Sequence, residues 1–219
     1  MNAQESVRLR AAQAQLLLYS MGYRSIYGFS QPPPDRQTAL QLFAELVRQE
    51  VLVPQNGALA LQEPWRSCLL HWGNARTVLR LHAGDHLPDC CCYPFAQGVT
   101  VCAPHPRIPG LLRLTELPAE GLWPWLREQY RLPGEEEGAL QWERQLEQTP
   151  PELSEGTPLF LLECRTLADG AAARLTAVQH PLYRELRLEE QGKTRRAAYR
   201  EETLTRWMDR HLWPKEETT

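Results

Sequence analysis

The stretch that decides the fold runs from His86 to His105 and reads HLPDCCCYPFAQGVTVCAPH. It holds four of the six cysteines and two of the six histidines, so it reads as a metal cage, a reactive thiol centre or a pair of β-strands. In an extended chain neighbouring side chains point to opposite faces, so Cys90 and Cys92 share one face and Cys91 takes the other. No CxxC knuckle occurs, and Cys102-Ala-Pro-His105 brings no second pair at structural-zinc spacing. A zinc site built from Cys90, Cys92, Cys102 and His105 requires those strands to pair with the four side chains converging. A Cys–His dyad joining Cys92 or Cys102 to His82 or His105 lacks any recognisable oxyanion motif around it. The residue pattern favours the third reading, in which reduced cysteine fills strand positions as a small apolar residue, with no metal and no cofactor.

Working outward, the period-2 runs continue on both sides. Thr77–His82, Asp89–Tyr93, Val99–Ala103 and Leu111–Thr115 are β-prone and separated by Gly, Pro and Asp, which predicts an antiparallel meander. A helix over Pro118–Tyr130 follows, with Leu122, Trp125 and Leu126 on one face. Leu132–Gly138 reads as an exposed acidic connector. Strands are then predicted over 158–164, 173–179, 183–189 and 193–199, with turns at Ala168–Gly170 and Gln191-Gly192, and a closing helix over Glu201–Leu212. Laid without a gap against Gly192–Leu212, the segment Gly110–Tyr130 matches Gly, Arg113/Arg195, Glu120/Glu202, Leu122/Leu204 and Trp125/Trp207. A fainter echo joins Ala39-Leu-Gln41 to Ala139-Leu-Gln141. The recurrence predicts a duplicated unit, with Trp125 and Trp207 in matching places.

Ahead of the meander the period is helical. Ala14, Leu17, Leu18 and Met21 form one stripe of a helix predicted over Val7–Met21. Gln31-Pro-Pro-Pro34 forbids helix, Asp35 is placed to cap the next one, and Ala39, Leu42, Phe43 and Leu46 form its stripe. Asn56-Gly57 between short apolar runs predicts a hairpin, with Pro54 arguing for a longer loop. A short helix after Pro64 carries Trp65 and Trp72 on one face as core residues. Two helices and a hairpin outline a winged-helix-like head, but on Asp35–Gln49 the charges of Arg36 and Arg48 are cancelled by Asp35 and Glu45. Sequence-specific binding of nucleic acid is therefore not expected from it.

The expected class is α+β: an antiparallel sheet of two quasi-repeated meander–helix halves with a helical head. The expected units are residues 1–76, 77–134 and 135–219, the last two sharing one core. Twenty-four basic against 27 acidic residues, net −3, argue against a polyanion-binding protein. No apolar run reaches the roughly 20 residues that span a bilayer, and Met1–Ser6 lacks a charged leader, so a cytoplasmic location and no membrane insertion are expected. No GxSxG, Walker loop, GxGxxG or HExxH occurs, and the expectation is a non-enzyme. Trp123 and Trp125 flank Pro124, which predicts that one of them faces outward as a partner-binding anchor, with Arg131 and the loop after it beside them.

This layout resembles that of the EspG-like proteins associated with type VII (ESX) secretion. Leu46-Val-Arg-Gln-Glu-Val-Leu-Val53 and Gly57-Ala-Leu-Ala-Leu61 resemble that family's helix-then-hairpin passage. Val78-Leu-Arg-Leu81 and Gly110-Leu-Leu-Arg-Leu114, leading into the Leu122/Trp125 helix, resemble its first sheet and closing helix. The resemblance implies a cytosolic chaperone or adaptor that shields an apolar surface of a protein partner, a helical secretion substrate. The alternatives are a winged-helix regulator and an enzyme using the Cys/His-rich strands.

Overall fold

The computed structural model describes residues 6–24, 26–27, 34–84, 86–135, 146 and 156–213. The eight predicted meander strands gather, with a ninth, into one sheet. Its first part comprises β4 (Thr77–His82), β5 (Cys90–Phe95), β6 (Gly98–Pro104) and β7 (Leu111–Pro118), a meander closed by helix α4 (Leu122–Tyr130). The second comprises β8 (Thr157–Thr166), β9 (Ala172–Gln179), β10 (Arg184–Glu190) and β11 (Lys193–Ala198), closed by α5 (Glu201–Leu212). The strand order is β1-β7-β6-β5-β4-β8-β9-β10-β11, with β1 (Val7–Arg10) at one edge and every pairing antiparallel. The fold is α+β. The two meanders run outward from a central pair in which Leu79 faces Cys164 and Leu81 faces Leu162.

Alternation sorts the sheet's side chains into two layers. Leu79, Leu81, Cys90, Cys92, Val101, Leu162, Leu175 and Leu186 face the side covered by α4 and α5. Val7, Leu9, Val78, Tyr93, Cys102 and Leu114 face the head, built from α1 (Ala11–Ser20), α2 (Arg36–Arg48) and α3 (Trp65–Asn74). Trp72 stacks on Tyr93 at 5.1 Å, and the Tyr93 hydroxyl donates to the Tyr27 carbonyl, which fixes the head on the sheet. In the gap-free register Leu122/Leu204, Leu126/Met208 and Tyr130/Leu212 are all buried. The tryptophans differ: Trp207 is buried, while Trp125 is only partly so.

Four expectations need correction. Val7–Arg10 is a strand and the helix starts at Ala11, because Val7 and Leu9 alternate with exposed Arg8 and Arg10 and pair with β7. The expected sheet of two meander halves therefore gains a strand from residues 1–76. The hairpin of β2 (Leu52–Gln55) and β3 (Ala58–Leu61) closes with just Asn56-Gly57, at φ 51° and 78°. Pro54 is tolerated because Gln55 and Ala58 flank the turn as a bonded pair, so position 54 is a non-bonded one whose nitrogen points away from its partner. The connector is partly docked: Leu132 is buried, the Tyr199 hydroxyl donates to the Pro133 carbonyl, and Glu135 pairs with Arg200. Residues 136–138 and the echo at Ala139–Gln141 lie outside the described residues.

Candidate interaction site

The cysteine stretch folds as two paired strands, and pairing separates the candidate ligands. Cys91 faces Cys102 across the ladder on the head side, whereas Cys90 and Cys92 point to the α4/α5 side. The four-ligand site of Cys90, Cys92, Cys102 and His105 therefore cannot close, because a sheet one residue thick lies between its halves. His105 is occupied as a turn residue, its Nδ1 accepting from the Arg107 and Ile108 amides. Among the described residues no group of three His, Cys, Asp or Glu side chains is arranged to hold a metal ion. Burial pushes the thiols of Cys68 and Cys164 up to about 12, and burial beside Cys90 does the same for Cys91. Complete burial also raises Cys102 well above the ordinary thiol value. Such thiols carry almost no thiolate at neutral pH, which removes them as nucleophiles.

Several other titratable groups are tied into networks. His82 Nδ1 lies 2.8 Å from Asp89, which also accepts from Arg80 Nε at 2.7 Å. His71 Nδ1 lies 2.7 Å from Glu116, the ring stacks on Phe95 at 3.7 Å, and the Ser67 hydroxyl donates to the same carboxylate oxygen. Serine and histidine thus compete for one acceptor, so this is not a nucleophile–base pair. Glu185, fully buried, accepts from Arg187 Nε at 2.6 Å and Arg196 Nε at 2.7 Å. Burial would raise its carboxyl, but hydrogen bonds from Arg187, Arg196 and His180 outweigh it and hold the group below its ordinary value.

The tryptophan expectation is half corrected. Trp123 is 3% exposed and packs 5.9 Å from Phe160, so it is core rather than anchor. Pro124 is the outward residue of that turn. Trp125 is partly buried, with the Arg113 guanidinium over its ring at 5.3 Å. Arg131 is exposed and ends α4 in the left-handed conformation at φ 52°. Outward apolar side chains lie on loops of the sheet, at Ile108, Leu167 and Leu182, and on the head. Leu40 is 62% exposed and Val47 36%, two turns apart on α2 with exposed Ala44 between them, and Leu59 on the hairpin is 50% exposed. The i, i+4, i+7 spacing of Leu40, Ala44 and Val47 is a sequence signal for a second apolar stripe, masked by the stronger buried one. Compared with known proteins, the chain matches no protein-family model and no curated protein.

Proposed function

We propose that the protein is a non-enzymatic protein-binding chaperone or adaptor, an EspG-like one acting in the cytoplasm on helical substrates of type VII secretion. The observation that supports this reading is the outward stripe of Leu40 and Val47 on α2, beside Leu59. Leu40, Ala44 and Val47 form an outward apolar row on a helix already packed through Leu42 and Leu46. Exposed apolar area of that kind fits a partner's amphipathic helix. The same side chains count against a winged-helix regulator, whose recognition helix offers basic and amide groups to phosphates and base edges. No helix among the described residues is long and apolar enough to cross a membrane.

The test is co-expression with helical-hairpin type VII substrates followed by size-exclusion chromatography. Wild type should co-elute with a substrate. Leu40→Asp with Val47→Asp should lose at least about tenfold in affinity while keeping the thermal melt, since buried apolar anchors carry on the order of 2 kcal/mol each. Failure of the wild type to retain any substrate, or retention of duplex DNA in its place, sinks the reading.

A further inference from the structure

The sheet has two edges, and they are finished differently. At β11 the outward backbone positions are 194, 196 and 198, because Glu190 and Lys193 flank the Gln191-Gly192 turn as a bonded pair. Arg196 and Ala198 are buried there, and Lys193 and Arg195 guard the rest of the edge with charge. At β1 the situation is reversed. The Ala11 amide donates to the Gly110 carbonyl, so Leu9 and Val7 bond to β7 and Ser6 and Arg8 turn their amides and carbonyls outward. Among the described residues the Arg8 carbonyl meets only the Trp65 indole, whose Nε1–H donates across a long 3.5 Å. A groove of about 680 Å³ lies along this edge, lined by Gln49, Val51, Glu63, Pro64 and Trp65 of the head and by Ile108, which is 50% exposed.

We propose that this groove takes an extended peptide as a tenth strand alongside β1, with an acidic residue opposite Arg8 and apolar residues on either side of it. An extended backbone supplies a donor and an acceptor together to the outward carbonyl and amide of one residue. The side-chain pattern follows from the pleat. A residue opposite Arg8 shares its face, and Arg8 is exposed with no ion-pair partner among the described residues. The residues before and after it share the face of Val7 and Leu9, which is the face of Val51 and Trp65 in the head's core. Arg10 is already occupied by Glu45 at 3.3 Å, so the acidic preference centres on Arg8. A second copy of this chain fits poorly, since edge-to-edge pairing of two β1 strands sets arginine against arginine. The proposal rests on the protein-binding reading only in taking a polypeptide partner, and it assigns a surface separate from Leu40 and Val47.

The experiment is fluorescence anisotropy with the full chain and an acetylated, fluorescein-labelled Ser-Val-Glu-Val-Ser amide. This probe should bind about threefold to fivefold tighter than the Ser-Val-Lys-Val-Ser version, the scale of an exposed ion pair. Arg8→Glu should invert that preference, which a structural role for Arg8 would not do. On wild type, N-methylation of the peptide's Glu nitrogen should abolish binding, because it removes the donor to the Arg8 carbonyl. Absence of binding by the Val-Glu-Val probe, an unchanged preference in Arg8→Glu, or equal binding of the N-methylated peptide overturns the proposal. So does a wild-type dimer that Arg8→Glu dissociates. The secretion-substrate assay is read separately: if its complex survives Arg8→Glu but not Leu40→Asp, the chaperone reading stands without the groove.

Discussion

Cysteine at positions 90, 92 and 102 has the volume of a small apolar residue, and burial closes all three to reagents in the folded protein. At pH 8 in the folded protein, Ellman's reagent should therefore titrate far fewer than the six thiols, and all six should react in denaturant. Rapid reaction of Cys102 in the folded state would contradict its burial. Glu185 gives a second residue-scale prediction. Its folded carboxyl lies below the unfolded value near 4.5, so the stability it contributes is present in full above that pH and is lost as pH falls through the folded value. Thermal melts should fall steeply below about pH 4.5, and Glu185→Gln should flatten that dependence. At neutral pH the substitution should cost about 3 kcal/mol, since it removes the carboxylate that accepts from Arg187 and Arg196 inside the protein.

Two glycines show how the elements are punctuated. Gly192 sits at φ 75° in the two-residue turn between β10 and β11, and a Cβ there would meet nothing within 4 Å. Gly192→Ala should cost about 1 kcal/mol, the price of a left-handed alanine alone. Gly98, at the start of β6, has no such φ, yet a Cβ there would collide with the Leu117 carbonyl of the paired strand. Gly98→Ala should cost more than Gly192→Ala, because backbone of β6 or β7 must shift to admit it. Urea titrations of the two variants at equal slope decide the order; a larger cost at Gly192 would refute this account of Gly98.

At the scale of the molecule, the two meander–helix units share a continuous apolar layer through the β4–β8 pair. Unfolding should be one cooperative transition, with tryptophan fluorescence and far-ultraviolet circular dichroism giving coincident curves. Leu162→Ala, at a fully buried position facing Leu81 across that seam, should cost about 3 kcal/mol and lower both curves together. Separate transitions for the two units would show that the seam does not couple them.

Most strand and helix positions were legible because their signal is local. Leu79–His82 alternates its polarity, Asn56-Gly57 and Gln191-Gly192 supply left-handed turn residues, and Asp35 accepts from the Thr38 amide as an N-cap should. The sequence by itself thus determined the two meanders, their closing helices and the use of cysteine as strand filler. Which strand neighbours which was settled in three dimensions, where distant residues compete for the same hydrogen bonds. Val7–Arg10 reads as helix with the residues after it, and only the open edge of β7 makes it a strand. Trp123 reads as an anchor beside Pro124, and packing into the shared core, beside Phe160 of the other unit, buries it. Cys91 and Cys102 meet while Cys90 and Cys92 turn away, because a sheet divides neighbours in sequence and unites residues far apart along the chain.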